Sequence, residues 1–258
     1  MYRGKKPVIW TTAYVPSEII RSAGALPFSP EVAAAVLSAL GLSKIGLAET
    51  EAQGYSPDLC SFHRLALWGA QNQLFPRPDG LVASSHLCDG GPQLFRNISL
   101  LTGAPLFVLD IPHSSDQDAL NYVTEQVKSL AKFLSSITKR ELQEQTLLEV
   151  LSRSNEAREW WSKCLALREQ GTYPLSGLHL LDYIYLHFTS FGSAPAVNVL
   201  QSLYQYLSRT RPQENPSLRL LWLHLKPYYH THLGNWLTNN CATVVCEEMT
   251  YVYWPPLD

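Results

Sequence analysis

The sequence predicts an α/β protein: a doubly wound parallel sheet lobe, a helical segment, and the start of a second α/β lobe. Three observations carry this. Short apolar runs alternate with helical patterns up to about residue 115, and the 3.6-residue period then runs from Gln117 to Ser208 with no strand between. A strand, helix and strand return over Leu218–Cys246. Alternation of this kind implies parallel pairing and right-handed crossovers. The expected divisions are residues 1–115, 116–212 and 213–258.

In order, Pro7-Val8-Ile9-Trp10-Thr11-Thr12 is a β-branched first strand. Pro16 starts a short helix over Ser17–Gly24, with Glu18 in its first turn and Gly24 as its stop. Pro30–Leu37 is a second helix ending near Gly41, and Ser43–Pro57 reads as irregular. Ser61–Gln73 is a helix with Leu65, Leu67, Trp68 and Leu74 as its apolar side. Pro76–Gly80 is a turn before a buried strand at Leu81–Ser84, and Gly90-Gly91-Pro92 opens the next helix. Leu106–Asp110 is a third strand, closed by Ile111-Pro112.

Beyond Asp116, helices are expected over Gln117–Ser136, Lys139–Gln170, Leu175–Phe188 and Pro195–Ser208. His179, Tyr183, Tyr185 and His187 belong to their core and rim, and Cys164 lies inert in mid-helix. Arg211–Pro216 has linker composition. Leu218–Leu225 then reads as a strand, Pro227–Asn239 as a helix and Ala242–Cys246 as a strand. Two strands and one helix are too few to bury a sheet, so this piece should either continue in a longer chain or pack on a partner.

Composition excludes several classes. With 46% hydrophobic and 16% charged residues the 258-residue chain is globular, and a net charge of -2 gives no reason to expect nucleic acid. No run approaches the ~18 apolar residues of a membrane span, and the N-terminus lacks a signal-peptide apolar core. Five irregularly spaced cysteines speak against a disulfide framework and for a reducing cytoplasm.

Chemistry concentrates at two cysteines. Cys88, in Ser84-Ser85-His86-Leu87-Cys88-Asp89-Gly90-Gly91, sits on a loop at a strand's carboxyl end, where open α/β sheets hold ligands. Cys60 stands similarly, just ahead of an apolar helical pattern. Two thiols at helix N-termini suit a soft metal centre, because anionic ligands are favoured there. The competing reading of each is a small core hydrophobe. Lying 28 positions apart, they lack the tight pairing of a zinc signature, and spacing alone does not decide for a metal. If both are ligands, their sulfurs should share one sheet edge within about 10 Å. The loop Thr12-Ala13-Tyr14, between the first strand and helix, is either a ligand position or an ordinary connection.

The run Pro7–Pro27, with Val15-Pro16-Ser17-Glu18-Ile19-Ile20-Arg21-Ser22-Ala23-Gly24-Ala25-Leu26-Pro27 at its heart, resembles the opening of the 2-hydroxyacyl-CoA dehydratase D-component family, which includes benzoyl-CoA reductase subunits. The similarity continues through Leu59-Cys60-Ser61, His86-Leu87-Cys88-Asp89, Phe107–Pro112 and Val244–Met249.

The resemblance implies two α/β lobes and a helical part, with a [4Fe-4S] cluster held by three cysteines, two from the first lobe and one from the second. Cys60 and Cys88 match the first two. The third is expected well into the second lobe, beyond Asp258, and neither Cys241 nor Cys246 stands in its context. The implied activity is ketyl-radical chemistry on an acyl-CoA thioester, either dehydration of a 2-hydroxyacyl group or reduction of an aromatic ring. Implied partners are a homologous second subunit and an ATP-dependent electron-donor activator. Substrate oxygen would meet iron between Thr12-Ala13-Tyr14 and His86-Leu87-Cys88, and Glu18 and His86 are the nearest groups for moving the β-proton. The alternative is a cluster-free, non-catalytic interaction or scaffold subunit of the same fold.

Overall fold

A computed structural model of the chain describes residues 6–169, 177–210, 218–229 and 231–252. It divides into two compact units, Met1–Leu147 and Leu148–Asp258. The first contains β1 (Val8–Thr11), α1 (Ser17–Ser22), β2 (Leu26–Phe28), α2 (Pro30–Ala39), α3 (Ser43–Ala52), α4 (Ser61–Gln71), β3 (Gly80–Ser84), α5 (Gly90–Thr102), β4 (Leu106–Leu109) and α6 (Gln117–Thr138). The strands form one sheet in the order β2-β1-β3-β4, and every neighbouring pair is parallel.

Two helical layers cover this sheet. Val8 and Trp10 of β1 and Leu81 and Ala83 of β3 face one way, packing with Leu65, Trp68, Leu94, Phe95 and Ile98. The residues between them, Ile9 and Val82, face the other way, with Ile19, Ile20, Leu130 and Leu134. Side chains alternate across a strand, so a strand buried on both faces must be apolar throughout. The doubly wound reading therefore holds. Because the chain leaves β1 for β2 on one side and returns to β3 on the other, the carboxyl ends of β1 and β3 flank the point where the strand order reverses. Ligand crevices form at that point in such sheets.

Two segments of this unit differ from the sequence reading. Ala25–Ser29 carried no strand, yet Leu26–Phe28 pairs with β1, Pro27 opposite Ile9. As an edge strand β2 pairs on one side only, which tolerates a proline that has no N–H to donate. Ser43–Pro57 is not irregular, since Ser43–Ala52 is helix. Gly46 is a packing point within it: a Cβ there would lie 2.5 Å from Leu65 Cδ1 and 2.8 Å from Trp68 Cδ2. The helix is held by Trp68 Nε1, which donates to Glu49 Oε2 at 2.6 Å, and by the Arg64–Glu51 ion pair.

The remaining described residues form α7 (Glu144–Glu169, which crosses the division between units), α8 (Gly177–Leu180), α9 (Ile184–Thr189), α10 (Ala194–Arg209), β5 (Leu218–Trp222), α11 (Leu233–Asn239), β6 (Ala242–Glu247) and α12 (Glu248–Val252). The single helix expected over Leu175–Phe188 is broken by a 3-10 turn at Leu181–Tyr183, and Leu175 itself lies outside the described residues, as does the linker Arg211–Pro216. β5 stops at Trp222 rather than Leu225 because His224 takes φ 64°, in the left-handed region that ends an extended run. The helix expected from Pro227 starts only at Leu233. Upstream of it, tertiary contacts override helix propensity: Lys226 Nζ donates to Asp182 Oδ2 and Leu178 O, both at 2.7 Å, and Tyr228 packs on Tyr185.

β5 and β6 pair in parallel, with an irregularity between Leu220 and Leu221. Beneath β6 lies a buried lock. Arg168 donates from Nη1 and Nη2 to the two oxygens of Glu247, each at 2.8 Å, and Thr250 Oγ1 donates to Glu247 Oε2 at 2.9 Å. Gly177 is required there, since a Cβ would fall 1.4 Å from Glu247 Oε1. No single helix among the described residues is long and apolar enough to cross a membrane.

Candidate functional site

The site is built where β1 and β3 end. Thr12 is 4% exposed and spent on structure: its N–H donates to Val82 O at 3.2 Å and its Oγ1 accepts from Ser84 N–H at 2.9 Å. Gly91, at the start of α5, seats on it, because a Cβ there would stand 3.3 Å from Thr12 Cγ2. Ala13 is buried and its N–H donates to Glu31 Oε2 at 2.8 Å. Tyr14, at φ 62°, sets its ring edge-on to His86 with centroids 5.5 Å apart.

The loop after β3 is tightly wound. His86 N–H donates to Ser84 Oγ at 3.1 Å, and Cys88 N–H donates back to His86 O at 3.2 Å. That closes a three-residue turn around Leu87, whose φ of 81° costs a side-chain-bearing residue on the order of 1 kcal/mol. Ser85 Oγ bolts this loop to the next: it donates to Asp110 Oδ1 at 2.9 Å and accepts from Ile111 N–H at 2.8 Å. Tyr122 donates to the other oxygen of Asp110 at 2.9 Å, and that hydrogen bond raises the Tyr122 pKa above its usual value. The result is an ordered rim at the carboxyl edge, and His86, Leu87 and Cys88 are exposed on it.

Cys60 occupies the N-cap of α4 and is exposed, its side chain making no capping bond. Neither Cys60 nor Cys88 is therefore a core hydrophobe. Cys164 is one: it is 1% exposed, and burial pushes its thiol up to about 12. Cys241 is exposed just before β6, and Cys246, within β6, is partly buried with its thiol raised by that burial.

The loops of Cys60 and Cys88 meet through a residue that the sequence did not single out. His63, in the first turn of α4, lies against Gly90: a Cβ on Gly90 would stand 2.8 Å from His63 Cε1 and 3.9 Å from Cys88 Sγ. On its other side His63 Nε2 lies 3.2 Å from Glu31 Oε1, so the carboxylate that holds Ala13 also holds this ring. The Cys60-x-x-His63 spacing, one helical turn, was the available signal for His63; for Glu31 it was only its place beside Pro30 in the first turn of α2. Glu18, in contrast to His86, is buried in the first turn of α1, 8% exposed.

Two exposed soft donors at a ligand edge suit two positions in the shell of a thiolate-bound cluster. Among the described residues no group of three or more His, Cys, Asp or Glu side chains could hold a metal ion, so they do not complete that shell.

The family model for the 2-hydroxyglutaryl-CoA dehydratase D-component matches residues 12–255. The chain belongs to this family. It is also similar to the (R)-phenyllactyl-CoA dehydratase alpha subunit of Clostridium sporogenes, at 25% identity over 271 residues that cover 97% of this chain. The chain spans only 66% of the length of that curated relative. The family match opens at Thr12, the first residue of the β1–α1 loop, and includes Cys60, His63, His86 and Cys88.

Proposed function

We propose that this D-component family member is a subunit of a cytoplasmic iron-sulfur enzyme acting on an acyl-CoA thioester, a 2-hydroxyacyl-CoA dehydratase or a benzoyl-CoA reductase type. The observation that carries the reading is the meeting of two exposed cysteines' loops at the carboxyl edge, beside the point where strand order reverses. Family membership and the alpha-subunit relative support it. A homologous second subunit and an ATP-dependent electron donor would complete the machinery.

In this reading Cys60 and Cys88 would hold a [4Fe-4S] cluster as two of its thiolate ligands. When bound, such a cluster supplies a low-potential electron to the thioester carbonyl, which makes loss of the 2-hydroxyl and of the β-proton feasible. The chain's own residues orient the substrate and move that proton. The Thr12-Ala13-Tyr14 loop forms one wall, its backbone fixed through Thr12 and Glu31. His86 is exposed beside this loop, braced by the Tyr14 ring, and is better placed to take the β-proton than the buried Glu18.

The deciding measurement is iron and sulfide in the protein purified anaerobically with its partner subunit, followed by electron paramagnetic resonance after reduction. Cluster signals in the parent that vanish in Cys60→Ser and Cys88→Ser are expected, and a parent without iron would sink the reading. In the loaded enzyme His86→Gln should keep its iron and slow turnover by about two orders of magnitude, the usual scale for a lost acid-base group. A similar loss in Glu18→Gln would assign the proton to Glu18 as well. A cluster-free scaffold subunit is the second reading, favoured by the absence of a third converging donor among the described residues.

A further inference from the structure

We propose that His63 is a positioning residue of this site, the spacer that sets the Cys88 turn, the Cys60 helix and the Thr12-Ala13-Tyr14 loop at fixed separations. The role matters to function through the reading of Cys60 and Cys88 as ligands, but the spacer can be tested apart from it. Glu31 accepts two donors, Ala13 N–H at 2.8 Å on Oε2 and the His63 ring at 3.2 Å on Oε1. An ionised carboxylate only accepts, so the ring serves it as donor from Nε2. Nδ1 faces Gly90, where a Cβ would stand 2.9 Å from it. The ring is thus fixed on both sides, with its side chain 13% exposed and that of Glu31 18%.

Three chain segments that are remote in sequence converge on this one imidazole. Its own helix carries Cys60 three positions earlier, its ring touches the backbone two positions after Cys88, and its carboxylate partner holds Ala13. Surface loops are mobile unless tied down, and metal ligands need their geometry fixed by the groups behind them. An apolar residue of similar size would fill the space against Gly90 but leave Glu31 without its second donor. A larger residue at position 90 would be driven into the ring.

The test pairs the two positions in the full chain. Two quantities are read for each variant: the alkylation rate of Cys88 in metal-free protein, with exposed Cys241 as internal reference, and iron and sulfide retained after anaerobic reconstitution. His63→Ala should change the Cys88 to Cys241 rate ratio severalfold and lower iron retention about tenfold or more, the usual scale for losing a group behind a ligand. His63→Gln, which keeps an N–H for Glu31, should recover most of both. Gly90→Ala should resemble His63→Ala, because its methyl meets the ring. The double variant should be no worse than Gly90→Ala alone, since the collision is gone. Parent-like values in His63→Ala, or losses that simply add in the double variant, would overturn the inference. A parent that takes up no iron while the Cys88 ratio shifts as described would remove the ligand reading and leave the spacer role standing.

Discussion

The two sheets among the described residues are both parallel, yet they are stabilised by opposite means. Every residue of β1 and β3 is buried, with an apolar cluster on each face. In β5, by contrast, Leu218 is 53% and Leu221 61% exposed, and only β6 beside it turns residues into the unit's interior. Parallel strands gain their stability from cover on both faces, and a two-stranded ribbon has little of it. The second unit relies instead on a polar lock in which Arg168 and Glu247 are 1% and 0% exposed. Cys60 and Cys88 lie open on the rim of the first sheet, whereas Cys164 is sealed among the helices of the second unit.

The contrast can be broken most forcefully at the lock. Glu247→Ala leaves Arg168 buried without its counter-charge and should cost about 3–5 kcal/mol in urea unfolding. An unchanged midpoint would show that the lock contributes nothing to the second unit. Leucines offer the next comparison. Leu81→Ala, at a fully buried position of β3, should cost about 2–5 kcal/mol. Leu221→Ala on exposed β5 should stay within about 0.5 kcal/mol. Equal costs would mean that β5 is covered in solution by something that buries it.

Acid should weaken the second unit through His187, whose pKa is lowered to about 3 by burial first and by the Arg158 charge second. The unfolded chain takes a proton on this ring below about pH 6.5, and the folded chain does not until about pH 3. Each pH unit between therefore favours unfolding, by at most about 1.4 kcal/mol. Urea midpoints across that range should fall, and His187→Leu should flatten the slope. The smallest change in stability is expected at the open cysteines, where Cys60→Ser and Cys88→Ser should shift stability by no more than about 0.5 kcal/mol. A large loss in metal-free protein would mean that these thiols are part of the packing after all.

Much of this architecture was legible from residue patterns. The continuous apolar runs at Val8–Thr11 and Leu81–Ser84, the prolines and glycines around them, and the helical periods between imply a doubly wound sheet, because backbone geometry imposes those periods locally. The same patterns set Cys60 and Cys88 at loop-to-helix junctions, and the order of motifs pointed to the D-component family that the family model then matched. What the residues determined by themselves is therefore the set of elements and the sheet edge that carries chemistry.

Tertiary structure decided whatever depends on a partner distant in the chain. The helix at Ser43–Ala52 packs through Gly46 against Leu65 and Trp68, and β2 accommodates Pro27 because it lies at an edge of the sheet. His224 leaves the extended run through a φ that no pattern announces, and Tyr228 escapes its helical period because Tyr185 binds its ring. The junction of Glu31, His63 and Gly90 belongs here too. No period links positions 31, 63 and 90, and their meeting exists only because parallel strands deliver the ends of successive loops to one edge, where side chains from separate elements come within hydrogen-bonding distance.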